Sequence, residues 1–590
     1  MADPTTYEHF IEQAYLKCLR SVLIIDDDYP TLESLLRPYE TPPAEGQTSK
    51  TWGADPETVL NIVKGFRTQD PPLIVDIHDG SNIGEEPELR VAEHLHQSDL
   101  LVLDFCLDKS RKDDGSEAIR ILRKLAGSSH FNLVMMHSSL EPTQVFRDVV
   151  VGLLPCEAAF GFEEELEAAH EHVDAIDPDL FDELSKRLLE DDAAYLEARK
   201  DPCVLSHRGK WKLYPFAGFT SLCDEKGVDP EMRAPLLASI LTAHHEAISE
   251  RLWDAKDMGP ISYSSISDDH LWVKLNTVFI GFTQKRDNAD LLADLKLSLA
   301  DWHPQPSRLM LKQLLVELDD RGATAETLAL GTKYASAKWY HDLLSASDSE
   351  KDALLSETLS RHIHALLSVI EPPLLKFSKD LVNLDAEGDP AKSCRQHYKV
   401  NLNTPDDRAR AVSENNLLVS TLPAIRGRRL QTGHIFKLGE DYWVCLSAAC
   451  DLVPGQQKPA RVQIFGEDRL PFLAVRLHST TEKVAGKNAT DKRFIYLKED
   501  GETKCFCVNA ADKPGSYLDW HTFIATNSGV FNPDTRILGV VRNRTDEGNL
   551  VLTSIDAEIV GQLRYTYAVN LAQELGRWLS RIGLDFMATN

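Results

Sequence analysis

The apolar run SVLII ends in three consecutive aspartates, Asp26, Asp27 and Asp28, and the apolar run LLVL ends in a fourth, Asp104. A carboxylate at the end of a buried strand is costly to desolvate, so acids repeated in that position point to a shared charge partner. If the strand ends are neighbours at one sheet edge, these acids cannot all stay ionised without a cation. Hard oxygen donors, few in number and leaving room for water, suit Mg²⁺. A carboxylate beside such a cation can attack a phosphoryl group, because the metal neutralises charge as the transition state develops. A further run, NLVMMHSS, ends in Ser138 and Ser139, whose hydroxyls could hydrogen-bond a phosphoryl oxygen.

Those groups need a scaffold that brings strand ends together. Candidate strands lie at 21–26, 72–78, 100–105 and 132–139, and the segment EAIRILRKL (117–125) carries apolar residues at the helical period. Continuously apolar strands with helices between them indicate a parallel sheet covered on both faces, an α/β doubly wound domain. Its ligand site is expected outside the carboxyl ends of the strands.

The arrangement resembles the receiver domain of two-component response regulators, a flavodoxin-like fold. The resemblance rests on Asp26-Asp27 after strand one, Asp104 ending strand three, the Gly115-Ser116-Glu117 helix start and a serine ending strand four. It implies that Asp104 takes a phosphoryl group from a phosphohistidine and that Mg²⁺ is held by Asp27, Asp104 and the carbonyl of Cys106. Asp26 then serves the outer shell or a bridging water, and Ser138 is the switch hydroxyl, with Ser139 one register away. Two departures stand out. The family's Asp-x-x-x-Pro is replaced by Asp104-Phe-Cys-Leu-Asp followed by extra residues before Gly115. The lysine-proline pair ending strand five finds its best match in Trp-Lys-Leu-Tyr-Pro-Phe (211–216), which puts Trp211 at the aromatic-switch position and Tyr214 at the lysine position. A receiver lacking that cation would be a phosphate sink or decoy more than a trigger.

Beyond it, residues 157–205 read as an acidic helical insertion, so the first domain is drawn at 1–220. A helical domain is expected over 221–390, a polar linker over 391–410, and a β-rich, barrel-like domain closed by a helix over 411–590. No compact basic three-helix module of a transcription regulator ends the chain. A receiver joined to such partners resembles the receiver proteins of bacterial anti-phage systems, including Detocs-type phosphorelays. That likeness implies a histidine kinase as donor and an effector or second receiver as a further partner, with the protein as regulator or phosphate buffer. The alternative is a receiver-gated nuclease or hydrolase in the C-terminal domain, for which Cys450, His434 and an arginine would have to cluster.

The bulk numbers set the outer bounds. A formal charge of -28 argues against a broad phosphate-tracking surface, and so against nucleic acid as a partner. Ten scattered cysteines form no disulfide framework and suit a reducing cytoplasm. No apolar run is long enough for a membrane helix, and the N-terminus lacks the pattern of a signal peptide. Cys445, Cys450, Cys505 and Cys507 lack the usual spacing of a zinc site and read as barrel residues.

Overall fold

The computed structural model describes residues 6–580 apart from 32–55, 79–97, 108–113, 250–258, 454–462, 510–517 and the short stretches 129, 163, 287–288, 347, 424, 426–427, 467, 492, 500, 533 and 547–548. The extra residues expected between Asp104 and Gly115 fall largely outside the described residues. The chain forms two compact units, one ending at Val316 and the other starting at Glu317.

The first unit is built on a seven-stranded sheet. Its strands are β1 (Ser21–Ile25), β2 (Ile74–His78), β3 (Leu100–Leu103), β4 (Asn132–Ser138), β5 (Ile261–Tyr263), β6 (Trp272–Leu275) and β7 (Val278–Gln284). Their order is β2-β1-β3-β4-β7-β6-β5. The first four strands and β7 run parallel, whereas β6 and β5 fold back antiparallel at one edge. The four strands expected from sequence are all present. The fifth is not where it was sought: residues 210–212 form a 3₁₀ turn, Tyr214 lies outside any strand, and Ala217–Lys226 is a helix. The closing strand is β7, inside the stretch expected to be helical.

Successive residues of each strand point to opposite faces. Leu101, Leu103, Val134, Met136, Ile280 and Phe282 belong to one core, covered by helices Ser116–Ala126 and Pro142–Leu153. The acidic insertion packs into this same core through Leu180, Leu184 and Tyr195, so it extends the domain. Phe146 links the two layers, with its ring centroid 5.4 Å from that of Phe282 and 6.4 Å from that of Tyr263. On the other face, the Phe279 ring lies 5.0 Å from that of Trp302 of helix Leu291–Trp302, tilted at 39°.

In the second unit the stretch expected to be a linker is largely helical, as Pro390–Tyr398 and Pro405–Ser420. Its Asp-Pro and Thr-Pro pairs are helix starts: Asp389 accepts a hydrogen bond from the Ala391 N–H at 3.1 Å, and each proline occupies the first turn, where no N–H is needed. The β-rich part comprises β8 (His434–Leu438), β9 (Asp441–Cys445), β10 (Leu470–Thr480), β11 (Phe494–Glu499), β12 (Glu502–Cys507), β13 (Trp520–Ala525), β14 (Ile537–Asp546) and β15 (Asn549–Gln562). Pairing of β9 with β10 closes the ring β10-β13-β14-β15-β8-β9 into an antiparallel barrel. Phe436, Phe472 and Phe523 fill it, and the β11–β12 hairpin extends from β10. Helix Tyr565–Ser580 packs outside on a second apolar cluster through Leu571 and Leu575. Among the described residues, no helix is long and apolar enough to cross a membrane.

Candidate functional site

The parallel ladder continues one residue past each strand and so places the acids. The Asp26 N–H donates to the His78 carbonyl at 3.0 Å, and the Asp104 N–H donates to the Ile25 carbonyl at 2.9 Å. Both carboxylates therefore leave the carboxyl edge of neighbouring strands, where they are almost fully buried, 2% and 5% exposed. Asp27 follows on the turn after β1, and one oxygen from each of Asp26, Asp27 and Asp104 lies within 4.8 Å of the others. This convergence is the one the acidic strand ends imply.

The cation among them is Lys285, the residue after β7. Its N–H donates to the Ser138 carbonyl at 2.7 Å, which extends the β4–β7 ladder. Its Nζ then reaches across β4 to lie 2.7 Å from Asp26 Oδ2 and 2.9 Å from Asp104 Oδ2. Burial works against the charge on this lysine, but the two carboxylates outweigh it and hold its pKa above the ordinary value. Burial pushes Asp104 up to about 6; Lys285 opposes that rise and the charge of Asp26 adds to it. Asp26 is likewise raised by burial against the pull of Lys285. One ammonium facing three carboxylates leaves an excess of two negative charges, which a divalent cation would neutralise.

The other expected residues divide. Ser138 is 2% exposed at the end of β4, and its Oγ accepts from the Leu140 N–H at 3.3 Å. Gly115 belongs to the site for a steric reason: a Cβ there would sit 2.0 Å from the ring of Phe105, the residue after Asp104. Trp211 and Tyr214 have other partners. Trp211 is buried and donates from its indole to the Val204 carbonyl at 2.9 Å, while the Tyr214 hydroxyl donates to Asp191 at 2.5 Å. Both follow the acidic insertion and bond to its residues, and the cation at the acidic edge is Lys285, so Tyr214→Phe is expected to leave any gain of phosphoryl mass with acetyl phosphate the same as in wild type.

Sequence reasoning missed Lys285. The signal was present in the apolar run VFIGFTQ ending on a lysine, but Arg286 follows where a proline was sought. It also missed His137, which has the parity of Asp104 and Lys285 and sits on β4 between their strands. That imidazole is 3% exposed, its Nε2 makes no hydrogen bond among the described residues, and burial with the nearby Lys285 and Arg286 charges pushes its pKa down to about 4.

In the second unit, His434 is fully buried and its Nδ1 accepts from the Gln431 N–H at 3.1 Å, whereas Cys450 is exposed on a 3₁₀ turn. A fully buried ring and an exposed thiol do not make a nucleophile–base pair. Among the described residues, the acidic trio is the sole group of three or more His, Cys, Asp or Glu side chains placed to share a metal.

Residues 18–175 match the family model described as the response receiver domain. The match takes in Asp26, Asp27, Asp104 and Ser138 and ends inside the insertion, ahead of Lys285. No curated protein and no solved structure matches the chain. Parallel sheet, acidic edge and family match together support a response-regulator receiver domain in the first unit.

Proposed function

We propose that the protein is a phosphoacceptor of a two-component-like phosphorelay, receiving its phosphoryl group on Asp104 from the phosphohistidine of a histidine kinase. The observation that carries this reading is the Lys285 ammonium bridging two buried carboxylates at the carboxyl edge of a parallel sheet. In the transfer, an Asp104 carboxylate oxygen bonds to phosphorus, the P–N bond of the donor breaks, and the released imidazole takes up a proton. Lys285 would turn from its carboxylate partners to a phosphoryl oxygen, and the Ser138 hydroxyl would donate to another. The donor set fits Mg²⁺: Asp26, Asp27, Asp104 and the Cys106 carbonyl would hold it, and it would supply neutralisation of the charge that develops on the transferring group.

A lysine in this position removes the ground for a weakened switch, so the reading is a regulator more than a phosphate buffer. The barrel interior is apolar, built on Phe436, Phe472 and Phe523, which supports a binding role for the second unit over a hydrolytic one. A receiver attached to a helical region and such a barrel is what supports a setting in a bacterial anti-phage phosphorelay.

The test is intact mass after incubation with Mg²⁺ and acetyl phosphate or a histidine kinase. Wild type is expected to gain one phosphoryl group and Asp104→Asn none. An adduct that persists in Asp104→Asn would move the acceptor elsewhere. No adduct in wild type with either donor, together with no Mg²⁺ binding, would reduce the domain to a scaffold.

A further inference from the structure

At the amino edge of the first unit's sheet, opposite the acidic edge, three cations gather round a cluster of aromatic rings. Lys274 of β6 pairs with Phe279 of β7, six residues before Lys285, which puts it about 20 Å down the sheet from that lysine. Lys274 is 5% exposed, and its Nζ donates to the Asn276 carbonyl in the turn between β6 and β7. The same Nζ lies 5.4 Å from the centroid of the Phe131 ring. Lys312 Nζ approaches that ring at 5.3 Å and the Tyr15 ring at 5.8 Å, while the Arg308 guanidinium lies 5.4 Å from the centroid of Trp302. Tyr15 joins the set, 5.6 Å from Phe131 and 5.9 Å from Trp302 between ring centroids. Arg308 and Lys312 share one face of helix Pro306–Arg321 by the spacing i, i+4, within the part that belongs to the first unit.

A lysine so deeply buried is ordinarily paired with an acid. Among the described residues none of these three cations forms an ion pair with a carboxylate, in a chain whose acids outnumber its bases by 92 to 64. Burial and the charge of Arg308 push the Lys274 pKa down to about 8, so the ammonium is still protonated at neutral pH. Arg308 and Lys312 also repel each other, since like charges four apart destabilise a helix. The rings attract all three cations but cancel no charge. The cluster is held together at a cost that a bound anion would relieve.

We propose that this cluster binds a phosphate dianion, free or as the terminal group of a small phosphate ester. Three positive charges with no acid among them call for an anion of more than one charge; a carboxylate would leave two of them uncompensated. Arg308 supplies the planar fork that matches two phosphate oxygens, and the two ammoniums act as point charges on the others. Lys274 gains most, because an ion pair is strongest where water is excluded. Phe131 and Trp302 are half-buried, which leaves ring surface for the organic part of an ester. A single cluster on a chain of formal charge -28 lacks the stripe of cations that would track a nucleic-acid backbone.

Calorimetric titration of the full chain tests this, in EDTA so that no metal carries phosphate to the acidic edge, and at fixed ionic strength. Inorganic phosphate and pyrophosphate are expected to bind saturably, and acetate and chloride to give no saturable heat. Phenyl phosphate separates the two sources: binding tighter than inorganic phosphate assigns an ester, and equal or weaker binding assigns the free ion. Arg308→Gln, at an exposed position, and Lys312→Gln, at a half-buried one, should each weaken pyrophosphate about tenfold, the loss of one charge-assisted contact. Lys274→Met should abolish both the binding and the rise in unfolding temperature that pyrophosphate gives wild type. If that variant does not fold, the two helix variants carry the test. No saturable heat from either phosphate at millimolar concentration would overturn the proposal. So would acetate binding as tightly as phosphate, or the double variant Arg308→Gln with Lys312→Gln binding pyrophosphate as wild type does.

Discussion

Replacing Lys285 with methionine is expected to lower the stability of the first unit by about 3 kcal/mol at pH 8, because removing one partner of a buried ion pair leaves uncompensated charge. Methionine keeps the apolar stem, so the deficit reports the ammonium. It falls on Asp26 and Asp104, which are almost fully buried and already have pKa values raised by that burial. Without the lysine both rise further. A carboxyl whose pKa is higher in the folded than in the unfolded state costs stability above the folded pKa, and the cost is relieved as pH falls towards the unfolded value near 4. The deficit of Lys285→Met should therefore shrink between pH 8 and pH 5, as followed by urea denaturation. Adding Asp26→Asn to the variant should recover part of the loss at pH 8. A deficit of constant size across that range would mean that lost packing, not charge, is responsible.

Phe523→Ala is expected to cost the second unit about 4 kcal/mol, in the range of a large aromatic truncated inside a filled core. Phe523 is fully buried, and its ring lies 5.0 Å from Trp443, 5.5 Å from Phe436 and 5.7 Å from Phe472, centroid to centroid. One substitution removes the group that all three rings share, and no neighbour can collapse into the space without breaking its own contacts. Because the chain forms two units with separate cores, the phosphoryl transfer to Asp104 proposed above should persist in the variant while the barrel becomes sensitive to protease. Limited proteolysis followed by intact mass of the fragments reads both properties at once. Loss of phosphorylation in step with barrel protection would show that the two units share their stability.

What could be read from the residues, and what could not, follows from the range of the interactions involved. The acids at Asp26, Asp27 and Asp104 and the hydroxyl of Ser138 were legible because each ends its own apolar run, a local pattern. The insertion was legible as helical and acidic, but its covalent neighbourhood misled. A Lys-Leu-Tyr-Pro string just after it imitates a strand end, whereas Trp211 and Tyr214 are held by Val204 and Asp191 of the insertion itself. Nothing local tells how far a chain wanders before it rejoins its sheet, so Lys285 was out of reach until β7 was paired with β4. Barrel closure was legible only as a class, since the β9–β10 pairing that completes the ring depends on register across many residues. The helices read as a linker were lost because Asp-Pro and Thr-Pro punctuate turns and helix starts alike.

The long excursion between β4 and β7 also has a consequence in time. Strands that neighbour each other in the sheet are separated by residues 139–277, so their pairing has a high sequence separation. Contacts of that kind slow folding far more than they cost stability, since closing a longer loop adds only about 0.6 kcal/mol for each doubling of its length. A chain emerging from the ribosome exposes Asp26, Asp27 and Asp104 well before Lys285 exists to meet them. Until the intervening helices have packed and delivered β7, the growing protein holds an acidic edge without its own counter-charge. The excursion thus times assembly, and the acidic edge with its lysine in place becomes possible only after roughly the first half of the polypeptide has been made.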